Sequence, residues 1–506
     1  MSAQLERPNL SRLHVPGYAE MLASGWAPFA AVAGAGFTLG FFTWLLAVLP
    51  AHRGDVGSAG LPVATLGGAI LALWAWVAYA KYFARRAGIK FDRALQYDAL
   101  TWAPFLLLWL SFTLPLALTH GTRLLAVLAL FFAVGKILIA ARFNPTVRDV
   151  LVDFALTRFA IIVIAELAAV IVGQRAGTHV EESRHLLLAV WGRWDAVHYL
   201  DIATRGYQGT DMAFFPLFPL LVAILGKLMG NHLIAGMLVS TAAFFFGLLF
   251  LYKLVEHEFD RFVARRAIFY VSIFPTAVFF SAVYTESLFF MLTVASFYYL
   301  RERRWWFAGA IGLLAAMTRV EGVLLIVPFV IEWYGLHKTN LRHGLSSLLP
   351  MGLIPLGLAL YMAYLWVLNG DPLYFSHVQS HWNRHLAAPW TSVLNSFHKI
   401  ATATNSQTVA NQMLELVFTA LMVAVLIAGF RRLRPAYVAY MALSILVPLC
   451  TSSLMSMPRF ALVLFPMFAI LALWGARPSV NNAIVAFSLP LLGLFTVLFA
   501  DWYWVA

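Results

Sequence analysis

Trp191-Gly-Arg-Trp-Asp-Ala-Val-His-Tyr-Leu-Asp201, continued by Ile202-Ala-Thr-Arg-Gly-Tyr207, is a polar, aromatic-rich stretch between an apolar run that ends near Val172 and another that begins near Ala213. A carboxylate flanked by Trp, Arg and His between two such runs has the make-up of a reaction centre at the mouth of a membrane protein. The surrounding composition points the same way. The 506-residue chain is 62% hydrophobic, 15% aromatic and only 11% charged, with a mean hydropathy of +0.80. A soluble domain is about half apolar and a quarter charged. A hydrocarbon core about 30 Å thick takes roughly 20 apolar residues to cross as a helix, and many segments meet that length. A membrane β-barrel would show short alternating segments instead. The expected architecture is an all-α polytopic membrane protein with about 13 transmembrane segments and an active site carried on external loops.

The formal charge of +12 does not indicate nucleic acid, because Lys and Arg are spread over short loops between apolar segments rather than gathered in one basic domain. That spread is the positive-inside pattern. Cys450 is the only cysteine, which excludes an intramolecular disulfide and a cysteine-based metal site, and its apolar surroundings read as those of a small buried hydrophobe. The first 25 residues carry Glu6, Arg7, Arg12, Glu20 and two prolines ahead of any apolar run, unlike a cleaved signal peptide.

Apolar segments near 26–49, 61–83, 99–118, 124–141 and 154–173 read as five crossings. Lys81, Arg85, Arg86, Lys90 and Arg93 mark one loop as cytoplasmic, and Arg142 and Arg148 mark another, so the stretch 174–212 with Asp195 falls outside. Further along, Arg301, Arg303, Arg304, Lys338, Arg342, Arg431, Arg432, Arg434 and Arg477 are assigned to the cytoplasm. Tyr284-Thr-Glu286, Arg319 with Glu321, the loop 370–410 and Arg459 then share the face of Asp195. The basic loop 253–266 fits this count only if 213–230, which opens Phe214-Phe-Pro-Leu-Phe-Pro219, is a re-entrant or short interfacial helix. Two half-length runs are expected to meet around Thr318-Arg-Val-Glu321. No repeat of fixed period and no low-complexity tract appears.

Asp195, His198 and Asp201 are three apart, so a helix would set them along one slowly drifting face, with Tyr199 one turn from Asp195. Transfer of a sugar to a hydroxyl needs a carboxylate to accept the acceptor's proton and cations to hold a departing phosphate. Asp195 suits the first task, and Arg193, Arg205, Arg319 and Arg459 are candidates for the second. The plainer reading is an interfacial ion pair of Asp195 with Arg193 or Arg205. Glu286, Arg319 and Glu321 lie within or beside apolar runs, where ionisable groups face a cavity or one another. His377, His381 and His385 recur every fourth residue, a spacing that on a helix would chelate a divalent metal, contact a ligand or simply be solvated.

The order Arg193-Trp-Asp195, Ile202-Ala-Thr-Arg-Gly-Tyr207, Ala213-Phe-Phe-Pro-Leu-Phe-Pro219, Tyr284-Thr-Glu-Ser287, Thr318-Arg319 and Pro458-Arg459-Phe460 resembles the PIG-V family. These are the second mannosyltransferases of glycosylphosphatidylinositol assembly and their prokaryotic relatives, within the GT-C superfamily, and the likeness covers roughly residues 150–506. It implies a GT-C-like helical bundle that takes a sugar, usually mannose, from a polyprenyl-phosphate donor on the non-cytoplasmic face, with inversion at the anomeric carbon. Asp195 occupies the position of the acidic general base. Charge and side of the membrane add Arg193, Trp194, His198, Asp201, Arg205, Tyr207, Glu286, Arg319, Glu321, His377, His381 and Arg459 as substrate-binding candidates. No metal and no cofactor is expected, because the leaving group is a lipid monophosphate.

Residues 1–150 then form an N-terminal four-helix membrane module ahead of a catalytic core at 151–506. Val320 and Glu321 stand where related enzymes often place small polar residues, which bears on donor or acceptor specificity. The single cysteine and the absence of an endoplasmic-reticulum retention tail suit a bacterial cytoplasmic membrane with its active site outside. The expected partners are the lipid-linked donor, the bilayer and a glycolipid, polysaccharide or protein acceptor. The competing reading is a transporter or flippase of a lipid-linked sugar, whose intramembrane Glu286, Arg319 and Glu321 would line a path. It lacks the internal symmetry such proteins often show. A non-catalytic scaffold would not need so many external acidic, basic and aromatic groups.

Overall fold

The computed structural model describes residues 144–172, 186–338 and 341–505, with a few further positions between 84 and 142. The chain divides into two compact units, 1–148 and 149–506, and nearly all described residues belong to the second. The expected spans at 26–49, 61–83 and 99–118, most of 124–141, and with them the proposed N-terminal module, lie outside the described residues.

Among the described residues the secondary structure is helical, and the lone departure is an isolated bridge between Leu386 and Thr451. Among the described residues six helical segments are long and apolar enough to cross a membrane: Pro145–Ile171, which is α1, then His232–Glu258, Val320–His337, Ser347–Asn369, Ser406–Gly429 and Pro478–Ala500. A seventh crossing arises if the pair Met457–Val463 and Phe465–Trp474, bent by 76°, is one broken span. Between them lie shorter apolar helices, and several of the roughly 13 crossings expected from hydropathy fall outside the described residues. In order after α1 these elements are α2 Asp195–Arg205, α3 Leu217–Met229, α4 His232–Glu258, α5 Arg261–Ser272, α6 Glu286–Arg301, α7 Trp305–Ala316, α8 Ile326–His337, α9 Leu353–Asn369, α10 Thr391–Thr402, α11 Ser406–Gly429, α12 Pro435–Leu449, α13 Met457–Val463, α14 Phe465–Trp474 and α15 Pro478–Ala500.

Local chemistry sets the boundaries. Asn231, Asp260 and Asn405 each cap the helix that follows, accepting the backbone N–H of Ile234, Val263 and Thr408 at 3.0, 2.8 and 2.7 Å. The helix α1 begins nine residues before the predicted span, because its first turns are polar and Asp149 finds Arg261 at 2.8 Å. Pro216 and Pro219 start α3 instead of breaking it, since the first turn of a helix has no internal acceptors for their missing N–H groups. At 13 residues, α3 is about 20 Å long, short of a bilayer core.

Basic residues assigned to the cytoplasm meet at one end of the bundle. Glu258, at the end of α4, accepts from Arg301 and from Arg434 Nε (2.8 Å), Arg301 also reaches Glu332 at 2.9 Å, and Tyr437 donates to Glu258 at 3.1 Å. The opposite ends of α4 and α6 carry the loop 273–285, which is buried throughout. Arg158 of α1 ties that loop down, donating to Ser272 O (2.9 Å), Ala277 O (2.8 Å) and Ser281 Oγ (3.1 Å). Gly236 of α4 lets Val283 close in, as a Cβ there would stand 2.6 Å from Val283 Cγ1. Val283 N–H in turn donates to Trp191 O at 3.0 Å, which docks the loop on the segment leading to Asp195.

Candidate active site

Four stretches that are distant in sequence meet at Asp195. The first is the start of α2. Trp194 precedes it with φ 58° and ψ −125°, a positive φ that costs a residue with a side chain on the order of 1–3 kcal/mol. Tyr284, fully buried, stitches across this kink: its hydroxyl donates to Arg193 O at 3.1 Å and accepts the Asp195 N–H at 3.2 Å. The strained residue is thus fixed by hydrogen bonds on both sides.

The second stretch is the start of α6, where Glu286 has no exposure at all. Its Oε1 accepts Arg459 Nε at 2.7 Å and Arg319 Nη1 at 3.2 Å. Arg319 comes from the third stretch, the break between α7 and α8, and reaches Glu321 Oε1 at 3.3 Å as well. The break needs Gly322, because a Cβ there would sit 2.3 Å from the Ala315 carbonyl carbon. The fourth stretch is the short α13. Glu415 of α11 anchors its start by accepting the N–H groups of Ser456 (2.9 Å) and Met457 (2.8 Å), a carboxylate at a helix N-terminus. Arg459, one turn on, donates Nη1 to Asp195 Oδ2 at 2.6 Å. Its guanidinium also stacks over Tyr284 (4.9 Å), Phe279 (5.2 Å) and Trp504 (5.9 Å).

The cluster is therefore three carboxylates held by two guanidiniums, and access separates the carboxylates. The Asp195 side chain is 25% exposed, Glu321 10% and Glu286 0%. Only Asp195 has appreciable room to meet an incoming group.

Other candidates lie around this cluster or away from it. His198, on α2, pairs its Nδ1 with Asp211 Oδ1 at 2.7 Å and stacks on Phe214 at 4.6 Å, with Trp382 edge-on at 6.2 Å. Arg193 is buried and lies over Trp502, while Trp194 packs on Trp502 and Trp504. Asp201 and Arg205 face each other at 3.9 Å in the open, away from the carboxylate cluster. Tyr207 donates to Phe214 O at 2.9 Å and stacks near Tyr361 and Tyr364. His377 is exposed against Asp371 at 2.7 Å, and that hydrogen bond holds the Asp371 carboxyl below its usual range. His381 is exposed and touches Trp382 edge-on.

The helical histidine ladder does not form. The α-helix stops at His377, a 3₁₀ turn runs 378–382, and Asn383 turns left-handed at φ 53°, so His385 leaves the axis. Among the described residues no group of three or more His, Cys, Asp or Glu is arranged to hold a metal.

Arg384 belongs beside the cluster although its sequence context does not announce it. The chain 383–387 folds back onto 450–452, with Ala387 N–H donating to Cys450 O (3.0 Å) and Ser452 N–H to His385 O (3.0 Å). That return carries Arg384 inward to donate to Met455 O, within electrostatic reach of Glu415, Arg459, Glu321 and Arg319. Among the described residues it has no salt-bridge partner and its Nε no hydrogen-bond partner, and burial pulls its pKa below the usual guanidinium value. The one available signal was that Arg384 and Lys399 are the only basic residues other than histidine in 370–410.

Residues 151–364 match the family model described as Mannosyltransferase (PIG-V). That stretch holds Asp195, Glu286, Arg319 and Glu321 but stops before Arg384 and Arg459. The chain is 33% identical over 157 residues to the GPI alpha-1,6-mannosyltransferase 2 of Cricetulus griseus, covering 28% of this chain and 31% of the relative. It is 24% identical over 230 residues to the GPI mannosyltransferase 2 of Schizosaccharomyces pombe, covering 40% and 50%. The chain thus spans a third to a half of the length of these curated relatives. Among solved structures, the Archaeoglobus fulgidus oligosaccharyltransferase is similar over 68% of this chain and 54% of its own, at 13% identity and a TM-score of 0.33. Residues 151–364 of the chain are thus similar to the PIG-V mannosyltransferases, by the family match and by these relatives.

Proposed function

We propose that this protein is an inverting mannosyltransferase with a GT-C-like bundle, which moves mannose from a polyprenyl-phosphate donor to an acceptor hydroxyl on the non-cytoplasmic face of a bacterial membrane. The observation that carries the reading is the pairing of one accessible carboxylate, Asp195, with an arginine, Arg459, that is itself anchored on a wholly buried carboxylate. The acceptor is a glycolipid, a polysaccharide or a protein glycan.

In this reading the acceptor oxygen attacks the anomeric carbon from the face opposite the phosphate. Its proton passes to an Asp195 oxygen as the new C–O bond forms, and the electron pair of the breaking C–O bond leaves on the lipid phosphate. Charge appears on that phosphate, so fixed guanidiniums beside it stabilise the transition state more than the ground state. Arg459 and Arg319 contribute to that field while committed to carboxylates. Arg384, without a carboxylate partner, is the arginine free to take the phosphate directly. His198, held by Asp211 and stacked on Phe214 with Trp382 edge-on, lies three residues along α2 and suits a sugar or acceptor hydroxyl. No metal is assigned, since the arginines meet the single charge of a phosphodiester.

The test is transfer of labelled mannose from synthetic polyprenyl-phosphate mannose to membrane glycolipid extract, with EDTA present, by wild type and by Asp195→Asn. Label in product for wild type, with Asp195→Asn folded and slower by about 10³-fold or more, is the expected result. Near-normal turnover in Asp195→Asn removes it as the base, and transfer that stops only on adding EDTA overturns the metal-free reading.

A further inference from the structure

The segment after α15 returns to the kink at Trp194. Asp501 is 1% exposed, yet neither of its carboxylate oxygens has a hydrogen-bond partner, and Arg193 Nη1, Trp194 Nε1 and Glu166 Oε2 are buried and equally unpartnered. Donors and acceptors are thus present in complementary kinds around Arg193-Trp194. Burial holds Arg193 below the ordinary guanidinium range, with Asp501 and then Glu166 opposing, and burial raises Asp501 with Arg193 opposing. A buried charge is costly unless compensated, so each of these groups accounts for the presence of the other.

The two residues that follow add rings to the same place. Trp502, itself at φ 63°, lies 5.4 Å from the Arg193 guanidinium and 5.7 Å from Trp194. Trp504 meets Trp194 edge-on at 5.3 Å and covers Arg459 at 5.9 Å. Val505 is buried behind them. Trp504 is therefore in contact with both neighbours of the reacting carboxylate: the residue before it in sequence and the arginine paired with it in space.

We propose that residues 501–505 are a positioning element of the catalytic centre: Asp501 compensates Arg193, while Trp502 and Trp504 brace Trp194 in its positive-φ conformation and confine Arg459, so that Asp195 is aimed at the acceptor. Arg193 is then a positioning residue and not a ligand for phosphate. None of this segment falls within the family-matched stretch 151–364. The proposal rests on Asp195 as the base, but its structural half can be read without activity.

On a Cys450→Ser background, Ala196→Cys places a thiol at a fully buried position next to Asp195. Maleimide labelling of that thiol in detergent reports opening of the kink. Trp504→Ala and, separately, the near-isosteric Asp501→Asn are expected to speed labelling about 10-fold or more, and Trp504→Phe, which keeps a ring, to leave it near the parent rate. In the transfer assay without the added cysteine, Trp504→Ala and Asp501→Asn should lower kcat about 10-fold or more with donor KM within about 2-fold, and Trp504→Phe should restore most of it. Unchanged labelling in both Trp504→Ala and Asp501→Asn overturns the proposal, as does a loss of activity expressed wholly in KM. Altered labelling together with no transfer by the unsubstituted protein leaves the brace standing and overturns the mannosyltransferase reading instead.

Discussion

Arg459 Nη1 lies 2.6 Å from Asp195 Oδ2 although the two residues are 264 positions apart in the chain. The contact depends on Glu286, which holds the other edge of the guanidinium at 2.7 Å from a site closed to solvent. Orientation of the accessible carboxylate is in this way delegated to a buried one.

Glu286→Gln should consequently cost more than a lost hydrogen bond. The substitution keeps size but removes the charge that Arg459 and Arg319 share, and breaking a buried pair from one side typically costs roughly 3–5 kcal/mol. Thermal unfolding in detergent should fall accordingly, and kcat should drop about 10²-fold because both arginines lose their common anchor. A variant with wild-type melting and turnover would show that Arg459 is held by Asp195 alone.

Gly322→Ala tests the break between α7 and α8. The added Cβ would meet Ala315 and Ala316 backbone atoms at 2.3–2.5 Å, which rigid helix ends cannot yield, so a loss of roughly 1–3 kcal/mol is expected with Arg319 and Glu321 displaced. Gly335→Ala, in the following helix, has nothing within 4 Å of the new Cβ and should leave melting and turnover as they are. Equal behaviour of the two variants in unfolding scans would contradict the close approach.

Charge and hydropathy reveal much of this arrangement and hide a definable remainder. Positive-inside counting puts Asp195, Glu286, Arg319 and Arg459 on one face, and Arg301 and Arg434 on the other; the latter two do meet at Glu258. What counting does not supply is distance. Arg193, two residues before Asp195, is the nearer candidate in the sequence, yet the backbone at Trp194 turns it into the protein interior, and distant Arg459 reaches the carboxylate. The four-residue spacing of the histidines presupposes a continuous helix, and Asn383, a residue tolerant of left-handed backbone, ends it. Apolarity alone does not separate full crossings from short helices: α3, α7 and α12 are as apolar as spans but only 13, 12 and 15 residues long. Arg384 escaped notice because its place is set by backbone pairing of 385–387 with 450–452, for which no side-chain pattern exists.

Exposed polar residues outside the cluster should matter little. Among the described residues Arg205 is paired only with Asp201, at 3.9 Å, and lies 74% exposed, and such surface pairs contribute about 0–1 kcal/mol. Arg205→Ala and His377→Ala are expected to change turnover less than about 3-fold and melting hardly at all. A loss of about 10-fold or more in donor KM for either variant would place the acceptor or donor over the outer end of α2 or the 371–377 turn instead.

Arg384 should behave differently from every residue of the carboxylate cluster. Arg319 and Arg459 have Glu286, Glu321 and Asp195 as counter-ions before any substrate arrives, so their removal disturbs the resting site. Arg384, half-buried, has a backbone carbonyl and an unpartnered Nε, and a partly desolvated cation without a carboxylate in contact gains most when an anion binds. Arg384→Gln should therefore raise donor KM about 10-fold or more, and because the phosphate gains charge in the transition state, kcat should fall too, though by less than in Asp195→Asn. Removing a half-buried charge that has no carboxylate in contact should leave the melting temperature close to that of wild type, in contrast to the loss expected for Glu286→Gln. Arg384→Lys would recover only part of the affinity, since an ammonium cannot present two parallel donors to a phosphate. Donor titrations of the transfer rate, run beside unfolding scans, separate these outcomes: a destabilised Arg384→Gln with unaltered donor KM would make Arg384 a structural link between the 383–387 return and Met455.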